Sequence, residues 1–249
     1  MLVDAIFFDY ASPFEMGPKR FHPPPIALVD LPPIDAVMIT HDHYDHLDMR
    51  TVQHLAGMGS LFLVPLGIGA HLKKWGVPDA QLRELEWWQE HMVKGVRFVS
   101  TPSRHYSGRG LNDKNATLWT SWSVLGAKHR FYVSGDTGYS DHFRTIGDEL
   151  GPFDLAFIKI GAYGPSDSWH DIHMSAEEAV QANIDVRAKR MFPVHWGTFN
   201  LAFHDWDEPV KHALAAARAQ KVDLLTPRVG EMVDADQPFQ STAWWETVR

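Results

Sequence analysis

The hexapeptide HDHYDH at His41–His46 constrains this chain more than any other stretch. It follows an apolar run, Ala36 to Ile39, that stops at Thr40. The run is too short for a helix and predicts a buried strand over Ile34–Thr40. In an extended segment residues two apart face the same way, so His41 and His43 can share one metal. Asp45 and His46 fall where the chain must turn, and offer an oxygen and a nitrogen to a second metal. Three imidazoles and a carboxylate suit zinc, with iron and manganese as alternatives. A solvated polar turn is the competing reading. A lone histidine would favour it, but H-x-H-x-D-H at a strand end does not.

The rest of the composition narrows the classes. A chain of 249 residues that is 45% hydrophobic can bury a sizeable core. We expect one α/β or α+β domain over residues 1–249, since no repeat, low-complexity tract or linker divides it. A net charge of −8 argues against a general nucleic-acid binder. There is no cysteine, which removes disulfides and thiolate ligands, while fifteen histidines supply imidazole. No apolar stretch approaches the roughly 18 to 20 residues of a membrane span. The N-terminus MLVDAIFFDY lacks a basic region followed by a long apolar run, so it does not read as a signal peptide. A cytoplasmic location is expected.

Further apolar runs predict strands at Leu2–Phe8, Leu61–Pro65, Glu84–Trp88, Val96–Thr101, Thr117–Leu125, Arg130–Ser134, Leu155–Ile160, Met191–Val194 and Val222–Leu225. Helices are predicted over Met49–Ala56 after Asp48, Ile68–Trp75, His142–Leu150, Ala176–Asn183 after a Ser175/Glu178 capping box, and Pro209–Ala219. Four of the strands lead into a potential ligand: to His41, His105, Asp136 and His195. Sheet proteins place their sites in loops beyond strand ends, so convergence of these four on one edge is the natural expectation. Trp87, Trp88, Trp119 and Trp122 are expected in the core, because aromatics at strand spacing usually pack. Lys19 and Arg20 read as a solvated basic pair, with contact to an anionic head group as the alternative.

With these residues in view, the chain resembles the metallo-β-lactamase-fold hydrolases, which share the order H-x-H-x-D-H, His105, Asp136, His195. It is similar in particular to the N-acylphosphatidylethanolamine-hydrolysing phospholipase D family and its bacterial relatives. The segments that carry this are GPKRF (Gly17–Phe21), PPIDAVMITHDHYDHLD (Pro32–Asp48), FLVPLG (Phe62–Gly67), TPSRH (Thr101–His105), WSVLG (Trp122–Gly126) and GDTGY (Gly135–Tyr139). GPFDLAFIKIGAYGP (Gly151–Pro165), HMSAEEAV (His173–Val180) and HWGTFNLA (His195–Ala202) continue it. The resemblance implies a four-layer αββα sandwich with two zinc ions between the sheets. His41, His43 and His105 would bind one, Asp45, His46 and His195 the other, and Asp136 would bridge both. It also suggests that His173 faces the site as substrate ligand or general acid, and that Tyr163 contacts substrate; an exposed loop histidine is the competing reading for His173.

Two metals sharing a water would lower its pKa, with the resulting hydroxide as nucleophile and Asp45 orienting it and shuttling its proton. A phosphodiesterase acting on a phospholipid or small molecule is the leading expectation. A lactonase or β-lactamase-like acyl hydrolase, or a catalytically silent metal binder, are the rivals. Membrane contact, if any, would be peripheral. The resemblance further implies a strand hairpin ahead of Leu2–Phe8, absent from this sequence, and Ala5 stands where the family usually has Pro. The expectation is either a true start upstream of Met1, where a targeting segment could lie, or an incomplete first sheet whose open edge leads to aggregation or dimerisation.

Overall fold

In the computed structural model, which describes residues 1–248, the strands form a four-stranded and a seven-stranded sheet. The first holds β1 (Leu2–Val3), β2 (Ala36–Met38), β3 (Leu61–Pro65) and β4 (Leu82–Leu85), side by side and all parallel. Parallel neighbours need a crossover, and helices α1 (Met49–Gly57) and α2 (Ile68–Lys74) supply two of them. Asp48 starts α1, its carboxylate accepting from Thr51 N at 2.7 Å. The helices bury Val52, Leu55, Ile68 and Leu72 against Val37, Ile39, Phe62 and Val64.

The second sheet runs in chain order through β5 (Glu90–Val93), β6 (Val96–Thr101), β7 (Ser121–Leu125), β8 (Arg130–Val133), β9 (Phe153–Lys159), β10 (Ala188–Val194) and β11 (Asp223–Leu224). Strands β5 to β8 form an antiparallel meander, and β8 to β11 are parallel. The parallel half is connected through α3 (His142–Leu150), the short α4 (Asp167–His170), α5 (Ala176–Asp185) and α6 (Glu208–Gln220). A reciprocal capping box between Ser175 and Glu178 opens α5. Phe143, Ile146, Val180 and Val210 cover Tyr132, Phe153 and Ile158.

The remaining sheet faces meet each other. Ala36, Met38 and Leu63 pack on Phe98, Trp122 and Val124, giving the order helix, sheet, sheet, helix. Trp122 is fully buried, and its indole N–H donates to Ile39 O at 3.0 Å, tying the sheets together two residues before His41. Beside this core a cavity of about 520 Å³ lies between Val3, Met38, Phe131, Val133 and Phe157, and its wall includes Asp45, His46, Asp136 and His195.

Several local expectations change. The strand expected over Leu2–Phe8 stops at Val3, because Asp4 turns the chain with φ 44°. The single strand over Glu84–Trp88 is two pieces: β4 ends at Leu85, Trp88 takes φ 71°, and β5 begins in the other sheet. Residues Thr117–Thr120 are loop, because their donors go elsewhere, Leu118 N to Leu66 O and Thr120 N to Thr40 O. Of the four tryptophans only Trp122 is fully buried. Trp88 is 42% exposed, while Trp87 and Trp119 are half-buried and spend their N–H on Trp119 O and Ser103 O. Arg20 is not a solvated cation: it is half-buried and donates to Ile6 O at 2.8 Å.

Replacing Trp122 by Phe should cost about 2–4 kcal/mol, from an orphaned Ile39 carbonyl and a small void. Urea unfolding measures this; a loss under about 0.5 kcal/mol would mean that the inter-sheet bond contributes nothing.

Candidate metal centre

His41 follows β2 of the first sheet, while His105, Asp136 and His195 follow β6, β8 and β10 of the second. All four strand ends meet at one edge of the sandwich. Gly135, at φ 58°, makes the sharp turn ahead of Asp136, and a Cβ there would lie 2.8 Å from Thr40 Cβ. His195 itself sits at φ 60°, a sparsely populated conformation of the kind that clusters at functional sites.

The hydrogen bonds fix the imidazole tautomers. Thr40 Oγ1 donates to Asp4 Oδ2 at 2.6 Å, so at 2.9 Å from it His41 Nδ1 must be a donor. His105 Nδ1 donates to Ile172 O at 3.0 Å, and His46 Nδ1 to Asp4 Oδ2 at 2.8 Å. Each of these rings therefore turns its Nε2 inward. His41 Nε2 lies 2.9 Å and His105 Nε2 3.3 Å from His43 Nδ1, so three nitrogen ligands converge on one point. Nearby, His195 Nε2 is 3.2 Å from Asp45 Oδ2 and 3.3 Å from Asp136 Oδ1. His46 Nε2 is 3.4 Å from Asp45 Oδ2 and 3.5 Å from Asp136 Oδ2.

Two compact ligand sets result, His41–His43–His105 and Asp45–His46–Asp136–His195, each with ligand atoms within 4.8 Å of one another. Asp136 also groups with His105 and His173, so it reaches both sets. His46 Nε2, His195 Nδ1 and Asp136 Oδ1 are buried and lack hydrogen-bond partners among the described residues. Buried polar atoms are rarely left so, and seven oxygen and nitrogen donors in this arrangement fit two divalent cations. Burial pushes His41 well below its ordinary pKa and His105 down to about 3, which keeps both neutral for ligation. Burial alone would raise Asp45 and Asp136, but His46 and His195 hold both well below the usual carboxylate range. Burial also resists charge on His46, yet Asp45, Asp136 and Asp4 outweigh it and lift that imidazole well above its ordinary value. A cation entering the site would take over this role from the His46 proton.

Two supports are invisible to motif reading. Asp4 lies 36 residues before Thr40, yet its carboxylate accepts from Thr40 N, Thr40 Oγ1 and His46 Nδ1. Arg109 clamps the ligand turn from outside: Nη1 donates to Asp42 O at 2.6 Å and Leu47 O at 2.9 Å, and the guanidinium lies over the Tyr44 ring at 4.1 Å. Asp42, buried inside the motif, accepts from Gly108 N and Thr117 Oγ1. No local sequence signal marks either role, because both partners are distant in the chain. His173 lies against the cluster, Nδ1 3.7 Å from Asp136 Oδ2 and its ring 5.1 Å from that of His105. Tyr163 is engaged elsewhere, its hydroxyl donating to Glu208 Oε1 at 2.7 Å and its ring packing on His204.

With this geometry in hand, residues 1–196 match the family model for the beta-lactamase superfamily domain. The chain belongs to that superfamily. An uncharacterized protein of Mycobacterium tuberculosis is 50% identical over 98% of this chain, which spans 66% of that protein's length. The N-acyl-phosphatidylethanolamine-hydrolyzing phospholipase D 1 of Caenorhabditis elegans is 40% identical over 94% of this chain and 70% of its own. Among solved structures, a metallo hydrolase from the archaeon Ignicoccus hospitalis superposes with a TM-score of 0.63. It is 22% identical and is matched over 80% of this chain and 78% of its own. The superfamily fold together with the His and Asp clusters implies binding of divalent metal. No helix among the described residues is long and apolar enough to cross a membrane.

Asp4→Ala should weaken binding of the second metal about 10–100-fold while leaving the first nearly intact, since Asp4 orients His46 directly but His41 only through Thr40. Zinc titration against a chromophoric chelator resolves the two steps; equal weakening of both, or of neither, contradicts the assignment.

Proposed function

We propose that the chain is a zinc-dependent phosphodiesterase of the N-acylphosphatidylethanolamine phospholipase D type, holding two ions per chain. The observation that carries this reading is the 40% identity to the Caenorhabditis elegans phospholipase, over a span that includes the whole seven-residue ligand set. His41, His43 and His105 would hold one ion, Asp45, His46 and His195 the other, with Asp136 between them. Bound ions at such a pair supply Lewis-acid activation of water and of phosphoryl oxygen. In the overall reaction water adds at phosphorus, the P–O bond to the head group breaks, and the proton passes to the departing alkoxide.

The protein's part is positioning and proton handling. Asp45, held ionised beside His46 and His195, would accept a hydrogen bond from the attacking water and shuttle its proton. His173 is lowered to about 2, by burial first and then by Lys159, so it works as a neutral imidazole. That favours a hydrogen bond to a phosphoryl oxygen over general-acid transfer. A lipid substrate is further supported by Phe21 and Phe203, which are 52% and 83% exposed. Their loops are tied by Phe21 N donating to Thr198 O, three residues beyond His195. Apolar side chains beside the site suit peripheral contact with a bilayer, for a protein working from the cytoplasmic side.

Metal-loaded protein should cleave phosphodiesters, including N-acylphosphatidylethanolamine in vesicles, at least tenfold faster than a panel of lactones, ~1.4 kcal/mol in barrier. A clear lactonase with no phosphodiesterase activity, or no turnover of either panel, would overturn the proposal.

A further inference from the structure

One buried charge enters the chemistry above only through its effect on His173. Lys159 ends β9, is fully buried, and lines the inter-sheet cavity together with Asp136 and His195. Among the described residues its ammonium makes a single hydrogen bond, to Met174 O at 3.2 Å, and no ion pair. An ammonium held this way is a poor stabiliser, and an unbranched apolar side chain would serve packing better. Residues that break such a rule beside a site are candidates for a functional role.

Its one bond lands on a segment that touches the ligands at three places. Ile172 O accepts from His105 Nδ1 at 3.0 Å. His173 Nδ1 stands 3.7 Å from Asp136 Oδ2. Met174 N donates to Thr137 O at 3.0 Å, next to Asp136 in sequence. The segment's outer ties are local or exposed: His173 N to Trp169 O at 2.8 Å, and an ion pair between Arg104 and Asp171. Lys159 reaches it from the sheet. The same charge opposes protonation of His173, after burial, while Asp136 and Glu178 draw on the ammonium, whose pKa burial lowers to about 8.

We infer that Lys159 is a positioning residue: from β9 it holds the Ile172–Met174 segment at the depth where Ile172 orients His105 and His173 faces Asp136. Only the activity arm of its test rests on the phosphodiesterase reading. Lys159→Met should melt close to the native protein, because removal of a poorly paired buried charge offsets the loss of its bond to Met174 O. Amide hydrogen exchange at His173 and Met174 in the metal-free variant should rise about tenfold. The d–d absorption of cobalt-substituted protein should shift as His105 reorients. On bis(p-nitrophenyl) phosphate kcat should fall about tenfold with KM unchanged, the range expected for loss of an outer-layer support. Lys159→Gln, which keeps a donor, should fall between the two and serves if the Met variant does not fold. Unchanged exchange and an unchanged cobalt spectrum would overturn the inference. So would an activity loss matched by equal losses of melting temperature and metal content. If the native protein cleaves no phosphodiester, the functional reading fails, while exchange and spectrum still decide the role of Lys159.

Discussion

The structure turns on the cost of gathering buried imidazoles and carboxylates at one end of a sandwich. His41, His46, His105 and Asp136 are all nearly inaccessible to water, and an apolar interior tolerates such groups only when they are hydrogen-bonded or bind a cation. The fold meets this in layers. The inward-facing nitrogens of His41, His46 and His105 are aimed by bonds on the far side of each ring, to Thr40, Asp4 and Ile172 O. Those partners are held in turn by the sheets, the Trp122–Ile39 bond and the Arg109 clamp. Cations bound there would complete the balance by replacing the proton that the acids draw onto His46.

Much of this is legible in the sequence because strand and ligand are adjacent in the chain. The apolar run before His41, the runs before His105, Asp136 and His195, and the Ser175/Glu178 box all encode position locally. What is illegible is encoded at long range. Nothing in residues 1–10 says that Asp4 will meet Thr40 and His46, because β1 is two residues long and shows no period. Trp88 looks like strand and is a turn between sheets, since φ 71° is imposed by the crossover and not by its side chain. Lys159 sits in an apolar run and would be read as exposed by alternation; tertiary packing puts it inside.

The sandwich is shared with enzymes of several chemistries, so specificity has to reside in the loops that ring the ligands. In this chain those loops have different characters. The 107–117 loop is tied through its backbone, with Gly108 N donating to Asp42 and Arg109 N and Gly110 N donating to Asp113. The loop after His195 is aromatic, with Trp196 stacked on Trp206, both tilted against Trp244, and Phe203 left in solvent.

We propose that two cations share Asp136, and anomalous diffraction from crystals of the zinc-loaded protein tests for them most directly. Two peaks about 3.5–4 Å apart are predicted, one among His41, His43 and His105 and one among Asp45, His46 and His195, with Asp136 in contact with both. A single peak at full loading, or zinc bound away from these side chains, would contradict the two-metal centre.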